Sequence, residues 1–147
     1  MINPFNDIYF MKQALIEAHK ALDEGEVPVG AVVVAGNQII GKGHNLTEKL
    51  SDVTAHAEIQ AITAASNFLS AKYLKECTLY VTLEPCSMCA GALYWSQIGK
   101  VVYGASDERR GANRFSPGLY HPNTVLIYGV EGEACSSLLK QFFQSKR

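Results

Sequence analysis

The sequence predicts a three-layer α/β domain, in which helices cover a central β-sheet. Segments with strand character alternate with segments of helical periodicity, a pattern that is typical of this fold class. Two β-branched runs on either side of Gly36-Asn37 predict an antiparallel hairpin. The later strands alternate with helices, which predicts that the sheet is mainly parallel after the hairpin. The length of 147 residues, with 48% hydrophobic and 18% charged residues, fits a single domain over residues 1–147.

The first half of the chain is predicted to contain a helix, the hairpin and a second helix. Either Asn6 or Asp7 can cap the first helix, because a short polar side chain accepts a hydrogen bond from an unpaired N–H group, and Gly25 ends it. The apolar residues of this helix share one face: Ile8, Met11, Leu15, Ala18 and Leu22. The hairpin strands are predicted at Val27–Ala35 and Gln38–His44, and the second helix at Ala55–Phe68.

The second half is predicted to alternate strands and helices around one long loop. Thr78–Leu83 is a continuous apolar run of the kind that forms a buried strand, and Pro85 opens a third helix over Cys86–Ser96. Two further strands are expected at Val101–Tyr103 and Val125–Tyr128, and a closing helix contains Leu138–Phe143. The loop Ala105–Asn123 is long for a compact domain, and loops of this length often carry function.

The charge balance and the apolar pattern exclude some classes of protein. Thirteen Lys and Arg residues against fourteen Asp and Glu residues give a formal net charge of −1, which removes the general basicity of a nonspecific nucleic-acid binder but not a local basic patch. No segment approaches the ~20 apolar residues of a membrane span, and the first residues lack the pattern of a secretory signal. We therefore expect a cytoplasmic protein with no membrane partner, in which Cys86 and Cys89 are metal ligands or redox thiols.

Two short motifs supply the ligands of a zinc site. His56 lies at the start of the second predicted helix, and Cys86 and Cys89 lie at the start of the third. Catalytic zinc sites use three protein ligands of these types and leave the fourth position to water. One helical turn brings the two cysteines to the same side, and helix N-termini favour thiolates. We therefore expect one Zn²⁺ per chain, with Glu58 free to move protons between water and a substrate ring.

Other interpretations of these residues remain open at this point. The Cys-x-x-Cys motif alone would suit a redox pair, although such a pair needs neither His56 nor Glu58. A closed structural zinc site, in an enzyme or in a non-catalytic RNA-binding or scaffold protein, would need a fourth ligand, for which His44 and Cys77 are available. The combination of His-x-Glu with Pro-Cys-x-x-Cys favours the catalytic site, because it is the pattern of the zinc deaminases.

Five segments carry a resemblance to a known family: Glu26–Val32, Thr54–Ile59, Thr78–Cys86, Met88–Ala92 and Glu133–Phe143. They resemble the cytidine/deoxycytidylate deaminase superfamily and, within it, the bacterial tRNA-specific adenosine deaminases. The resemblance implies a three-layer α/β/α cytidine-deaminase-like fold, with a five-stranded mixed sheet and helices on both faces. It further implies that His56, Cys86 and Cys89 hold zinc and that Glu58 is the catalytic proton carrier.

The resemblance also implies an activity, a substrate and an assembly. A protein of this kind is a hydrolase acting on an amidine C–N bond, which converts the wobble adenosine of a tRNA anticodon to inosine with release of ammonia. Asn45, Val27 and Ala57 would line its base pocket, although spacing alone makes Asn45 a turn residue just past a strand. A homodimer is implied as well, and one short helix has a surplus of large apolar residues consistent with a subunit interface: Met88, Leu93, Tyr94 and Trp95.

The long loop departs from the usual pattern of the family. Asp107 could meet a ribose hydroxyl or simply cap the loop, and Arg109, Arg110 and Arg114 could contact RNA phosphates or form solvated surface. Because this loop lies where a substrate would be selected, a guanine, cytosine or free-nucleoside deaminase of the same superfamily stays an alternative.

Overall fold

The computed structural model describes residues 3–115 and 118–146, which contain five strands and four α-helices. The helices are α1 (Asp7–Asp23), α2 (Ala57–Leu69), α3 (Ser87–Ser96) and α4 (Gly132–Ser145). The strands are β1 (Gly30–Ala35), β2 (Gln38–His44), β3 (Cys77–Leu83), β4 (Lys100–Ala105) and β5 (Val125–Tyr128). Each predicted helix and strand is present, and a short 3-10 helix, Ala112–Arg114, lies within the predicted long loop.

One mixed sheet with the strand order β2-β1-β3-β4-β5 forms the centre of the fold. β1 is antiparallel to β2 and β3, whereas β3, β4 and β5 are parallel to one another. The predicted hairpin turns at Gly36, whose φ of +63° suits glycine. β1 begins at Gly30 instead of the predicted Val27, because the preceding residues make a local turn that includes the N–H of Val29 and the carbonyl of Val27.

Helices cover both faces of this sheet, which gives the three predicted layers. Val32, Tyr80 and Val102 point to one face and pack in a core with residues of α1 and α4. Their strand neighbours point to the other face and pack with α2 and α3 residues, among them Ala61 and Leu93. The three-layer α/β/α architecture predicted from the sequence is therefore confirmed.

The first helix has the predicted cap but a different buried face. The side chain of Asn6 accepts a hydrogen bond from the N–H of Tyr9 at 2.9 Å. Ile8 belongs to the predicted apolar face, yet it is 50% exposed. The backbone of α1 at Ala14 and Ala18 lies directly against Gly30 of β1, so the small residues occupy the centre of the contact and Ile8 is turned outward.

Glycines of β2 let α2 approach the sheet closely. A Cβ atom at Gly41 would overlap the carbonyl oxygen of Ala61 and lie 2.8 Å from the backbone nitrogen of Ala65. A Cβ atom at Gly43 would likewise overlap the carbonyl oxygen of Ala57. This close contact fixes the start of α2, where His56 and Glu58 are found, against the end of β2.

Gly41→Ala is expected to destabilise the protein, because the added methyl group must push α2 away from the sheet. The expected loss is about 1–3 kcal/mol of the free energy of unfolding, measured by urea denaturation. Gly91→Ala is the matched control, since Gly91 lies inside α3 with open space around the position of a Cβ. That change should stabilise the protein by about 0.5–1 kcal/mol. Equal changes in the free energy of unfolding for Gly41→Ala and Gly91→Ala would contradict the close approach of α2 to β2.

The structure also bears on the predicted long loop and on the predicted lack of a membrane-spanning segment. The loop between β4 and β5 carries the short 3-10 helix, and Ser116 and Pro117 of this loop lie outside the described residues. None of the helices in residues 3–115 and 118–146 has the length and apolarity needed to cross a membrane.

Candidate active site

The site forms where two helices begin next to each other. His56 immediately precedes α2, and Cys86 immediately precedes α3, both with extended backbone. Cys89 lies one turn into α3. Because α3 follows the carboxyl end of β3 through Glu84 and Pro85, and α2 packs on the same face of the sheet, the two helix N-termini meet at one place. The structure thus brings together the three residues that the sequence pattern selects as metal ligands.

The three side chains have the separations of a tetrahedral metal site. The Nδ1 atom of His56 lies 3.7 Å from the sulfur of Cys86 and 3.5 Å from the sulfur of Cys89. All three donor atoms lie within 4.8 Å of one another. Tetrahedral zinc with bonds of about 2.0–2.1 Å to nitrogen and about 2.3 Å to sulfur separates these two donors by about 3.5 Å. The donor types and their spacing therefore fit zinc.

Hydrogen bonds prepare one cysteine as a thiolate. The thiol of Cys89 and the imidazole of His56 both bond to the sulfur of Cys86, and they lower the pKa of Cys86 to about 3. The bond to Cys86 and burial raise the pKa of Cys89, while the bond to the same sulfur raises the pKa of His56. The thiolate is the form of cysteine that binds metals, so the arrangement favours a metal site.

Glu58 lies beside these donors as a buried acid. It is in the first turn of α2 and is only 4% exposed. Burial, the largest influence, raises the pKa of the Glu58 carboxyl to about 7. A carboxyl group with a pKa near neutrality can both take up and release a proton at the pH of a cell.

A pocket opens directly over this group of residues. Its volume is about 240 Å³, below the roughly 300–1,000 Å³ of pockets for drug-sized ligands, which suits a single base. Its lining includes the metal-site residues His56 and Cys86 together with Glu58. The other lining residues are Val27, Val29, Asn45, Thr47, Ala57, Leu83, Glu84, Asp107 and Arg110.

The predicted base-binding residues all line this pocket, and Asn45 also has a structural role. Its Nδ2 group donates to the carbonyl of Val27 at 3.3 Å, and its Oδ1 atom accepts from the N–H of Thr47 at 3.2 Å. The first contact uses one of the two donors of the amide and the second uses one of its two acceptor sites, so one donor and one acceptor site stay available to a base. Val27 and Ala57 contribute apolar wall, as expected.

The residues predicted to contact RNA separate into two groups. Asp107 and Arg110 line the pocket, whereas Arg109 and Arg114 do not. Oδ1 of Asp107 accepts from the backbone N–H groups of Arg109 and Arg110 at 3.1 and 3.0 Å, so the loop-capping role considered for Asp107 is present. Arg114 is exposed, with its guanidinium 5.6 Å from the ring centre of Phe115.

Neither proposed fourth ligand of a closed structural site belongs to the metal group. Nε2 of His44 lies 3.1 Å from a carboxylate oxygen of Glu24, and Nδ1 lies 3.7 Å from Glu17. Cys77 begins β3, at the opposite end of the strand from Cys86. The interpretation as a closed site with His44 or Cys77 is wrong for this fold.

Several pocket residues were not predicted from the sequence, and Glu84 is the most unusual of them. Its side chain is 5% exposed, and the sequence pattern indicates only that it belongs to a turn before Pro85. The sequence signal that could have identified Glu84 is its place as an acidic residue at the end of a continuous apolar strand, where a solvated side chain is not expected. Thr47, Val29 and Leu83 have no distinguishing pattern in the sequence.

The fold and the site together define a class of protein. Helices on both faces of a mixed sheet, with a His/Cys/Cys group and a buried glutamate in a pocket, are the features of the zinc-dependent nucleobase deaminases. The chain belongs to the MafB19-like deaminase family, which it matches over residues 5–147. The resemblance predicted from the sequence is thereby confirmed.

Relatives and solved structures agree with this membership. The chain is 47% identical over 145 residues to the tRNA-specific adenosine deaminase of Aquifex aeolicus, with 95% of each protein covered. A structure from a study of A-to-I editing by tRNA:A34 deaminases at the wobble position is 38% identical, with a TM-score of 0.83, over 88% of this chain and 98% of that chain. A guanine deaminase from Bacillus subtilis is 41% identical, with a TM-score of 0.66, over 69% of this chain and 65% of that chain.

Proposed function

We propose that this protein is a zinc-dependent hydrolase that converts adenosine to inosine at the wobble position of a tRNA anticodon. The observation that carries the proposal is the His56, Cys86 and Cys89 group beside buried Glu58, at the base of a pocket of nucleobase size. The 47% identity with a tRNA-specific adenosine deaminase over 145 residues supports tRNA as the substrate. We further propose that residues 1–147 form a single deaminase domain that acts in the cytoplasm.

The side chains of the pocket have separate roles in the proposed reaction. His56, Cys86 and Cys89 would hold one zinc ion per subunit, and bound zinc brings the pKa of a water molecule to about 7. Glu58 takes a proton from the attacking water and delivers it to a ring nitrogen of adenine. Once the water oxygen has bonded to C6, Glu58 takes the remaining proton of that oxygen and gives it to the amine, whose bond to C6 breaks. Adenosine and water thereby become inosine and ammonia.

The remaining pocket residues orient the base and exclude water. Asn45 has one donor and one acceptor free for the base edge, and Val27 and Ala57 form the apolar wall. An anticodon loop is a suitable source of this base, because unstacked bases of single-stranded RNA can be splayed into a pocket.

A second candidate function is deamination of guanine or of another free base or nucleoside. It is favoured by the 41% identity with a guanine deaminase, although that match covers only 69% of this chain. The metal ligands and Glu58 would have the same roles in this reaction, so the two functions differ in what the pocket mouth accepts.

The two functions are separated by incubating the zinc-loaded protein with tRNA and, in parallel, with free guanine, cytosine and adenosine. We expect inosine at the wobble position of the tRNA and little ammonia from the free compounds. Sequencing the anticodon reports the product and its position, and an ammonia assay reports the other reactions. Rapid ammonia release from a free base, with unmodified tRNA, would contradict the proposal and support the second function.

We also propose that the protein is a homodimer joined through α3. Leu93, one of the residues considered for this interface, is buried in the core of the chain, but Met88, Tyr94 and Trp95 are exposed, Trp95 at 76%. Further exposed apolar residues lie in the segment before α2, Leu50 at 52% and Val53 at 83%. Large apolar surface of this kind is typical of a protein interface.

Trp95→Arg is expected to convert the dimer to a monomer, because it replaces the most exposed of the large apolar side chains of α3 with a charged one. Sedimentation equilibrium should give the mass of two chains for the wild type and of one chain for the variant. Tyr128→Arg is the matched control, since Tyr128 is 71% exposed but lies on β5. A dimer that survives Trp95→Arg, or one lost with Tyr128→Arg, would contradict an interface on α3.

A further inference from the structure

Glu84 is a buried acid that the proposed reaction does not use. It follows β3 directly, is 5% exposed, and lines the pocket. Within the described part of the chain, no Lys, Arg or His forms an ion pair with it. A carboxylate without a cation is costly to bury unless hydrogen bonds satisfy it, so its partners indicate why it is there.

The partners of Glu84 are backbone groups of the loop after β4. Oε1 accepts from the N–H of Asp107 at 3.0 Å, and Oε2 accepts from the N–H of Asn113 at 3.0 Å. The carboxylate thus joins the two ends of the segment 107–113. Charge-assisted hydrogen bonds of this kind are about twice as strong as neutral ones.

Gly111 shows how closely the segment 107–113 fits around this carboxylate. Its φ of −67° and ψ of 147° are accessible to every residue type, so the backbone angles do not require glycine. A Cβ atom at this position would instead overlap the carboxylate of Glu84 and lie 2.5 Å from the carbonyl oxygen of Asp107. The absence of a side chain is what allows the contact.

The same segment is attached to the metal site and carries an arginine to the pocket. Gly111 forms a β-bridge with Cys86, and the N–H of Ala112 donates to the carbonyl of Pro85 at 2.8 Å. Asp107 caps the turn in which Arg110 lies, and Arg110 lines the pocket. Glu84 therefore connects the end of β3, next to Cys86, with the segment that carries the pocket residue Arg110.

We infer that Glu84 is a positioning residue, whose carboxylate holds the segment 107–113 in place so that Arg110 binds a phosphate of the RNA substrate at the pocket mouth. The inference rests on the proposed function for the identity of the substrate. Arg110 is the only lysine or arginine among the residues that line the pocket in the described part of the chain, so it is the cation available to a phosphate there. Glu84 affects the binding of the RNA substrate, whereas Glu58 carries out the proton transfers.

Glu84→Gln tests the positioning role without a change in volume. In either orientation of the amide, its NH₂ group faces one of the two loop N–H groups, so one hydrogen bond is lost. We expect hydrogen exchange to become about 10-fold faster at the loop amide that loses its bond, which is that of Asp107 or Asn113. With an anticodon stem-loop as substrate, KM should rise about 10-fold while kcat stays within about threefold, since only binding is altered. Zinc content should stay at one per chain.

Arg110→Ala identifies the group through which Glu84 acts. This change should raise KM by a similar factor and reduce the slope of log KM against log salt concentration by about one, as expected for one lost phosphate contact. It should leave the exchange of the two loop amides unchanged. In the double variant Glu84→Gln/Arg110→Ala, KM should be no higher than in Arg110→Ala alone, because both changes remove the same contact.

Glu76→Gln is the matched control for the altered charge. Glu76 is exposed and precedes β3, at the opposite end of the strand from Glu84, and it should leave KM, the salt slope and the exchange rates as in the wild type. If Glu84→Gln does not fold, Gly111→Ala disturbs the same contact from the loop side and should raise KM in the same way.

The outcomes separate the inference from the proposed function. An unchanged KM in Glu84→Gln, additive effects in the double variant, or a salt slope unaffected by Arg110→Ala would overturn the inference while wild-type protein still deaminates the stem-loop. A wild-type protein that forms no inosine in RNA would instead overturn the proposed function and, with it, the phosphate role of Arg110. In that case faster exchange in Glu84→Gln would still establish that the carboxylate holds the loop.

Discussion

Glu58→Gln should lower the rate of inosine formation by about 10²–10⁴-fold, the range expected for the loss of a general acid–base group. The physical reason is that the amide has nearly the shape of the carboxyl group but cannot take up or release a proton. Glu58 is 4% exposed, and burial raises its pKa to about 7, so the wild-type carboxyl can do both. The measurement is inosine formed in an anticodon stem-loop at saturating substrate.

The metal content separates loss of proton transfer from loss of the site. Because Glu58 is not among the three clustered donors, the variant should retain one zinc per chain by elemental analysis. Glu133→Gln is the matched control, since Glu133 also lies in the first turn of a helix but is exposed. It should react at the wild-type rate. Activity within about tenfold of wild type in Glu58→Gln would show that another group moves the proton.

Much of the fold could be predicted because its signals are local. The alternation of strand and helix patterns identified every strand and α-helix of the described residues, and the turn at Gly36-Asn37 identified the hairpin. The short 3-10 helix Ala112–Arg114 was not identified. The exposed Ile8 shows where local patterns fail, because the orientation of α1 is set by the close contact between Ala14 and Gly30. A helical face can be deduced from periodicity, but the centre of the contact depends on which residues let the two backbones approach.

The clustering of the three candidate metal ligands could be predicted for a related reason. The three residues come from two short motifs, and each motif lies at the start of a helix. His56 and Cys86 are 30 residues apart, yet the chemistry of the donors was sufficient to pair them. The pattern needed no knowledge of the sheet that brings the helices together.

The supports of the pocket could not be predicted, because their partners carry no sequence signal. Glu84 binds backbone N–H groups 23 and 29 residues away, and any residue type except proline supplies such a group. Glu26 is a second case, since its buried carboxylate accepts from the N–H groups of Glu48 and Lys49 at 3.0 and 2.8 Å. These two acids hold two different segments that contribute residues to the pocket or lie next to such residues, and only the folded chain shows that they do.

Cys86→Ala should abolish both zinc binding and inosine formation. The loss of one of three protein ligands leaves a site with two, too few for the three-ligand arrangement of catalytic zinc. Elemental analysis after dialysis should therefore find less than about one tenth of a zinc ion per chain. Because the donor atoms are already clustered, we expect the sheet and helices to persist, and circular dichroism should report a spectrum close to that of the wild type.

Cys77→Ala is the matched control for Cys86→Ala. Cys77 begins β3 and Cys86 lies just beyond the other end of this strand, but only Cys86 belongs to the group of candidate metal ligands. Cys77 is 3% exposed, and burial raises the pKa of its thiol, which disfavours the thiolate. The effect on Cys86 is the opposite, since its neighbours lower its pKa to about 3. Cys77→Ala should therefore keep one zinc per chain and wild-type turnover. Zinc retained by Cys86→Ala, or lost from Cys77→Ala, would show that the ion is held elsewhere, and the reaction would then need a different centre from the one beside Glu58.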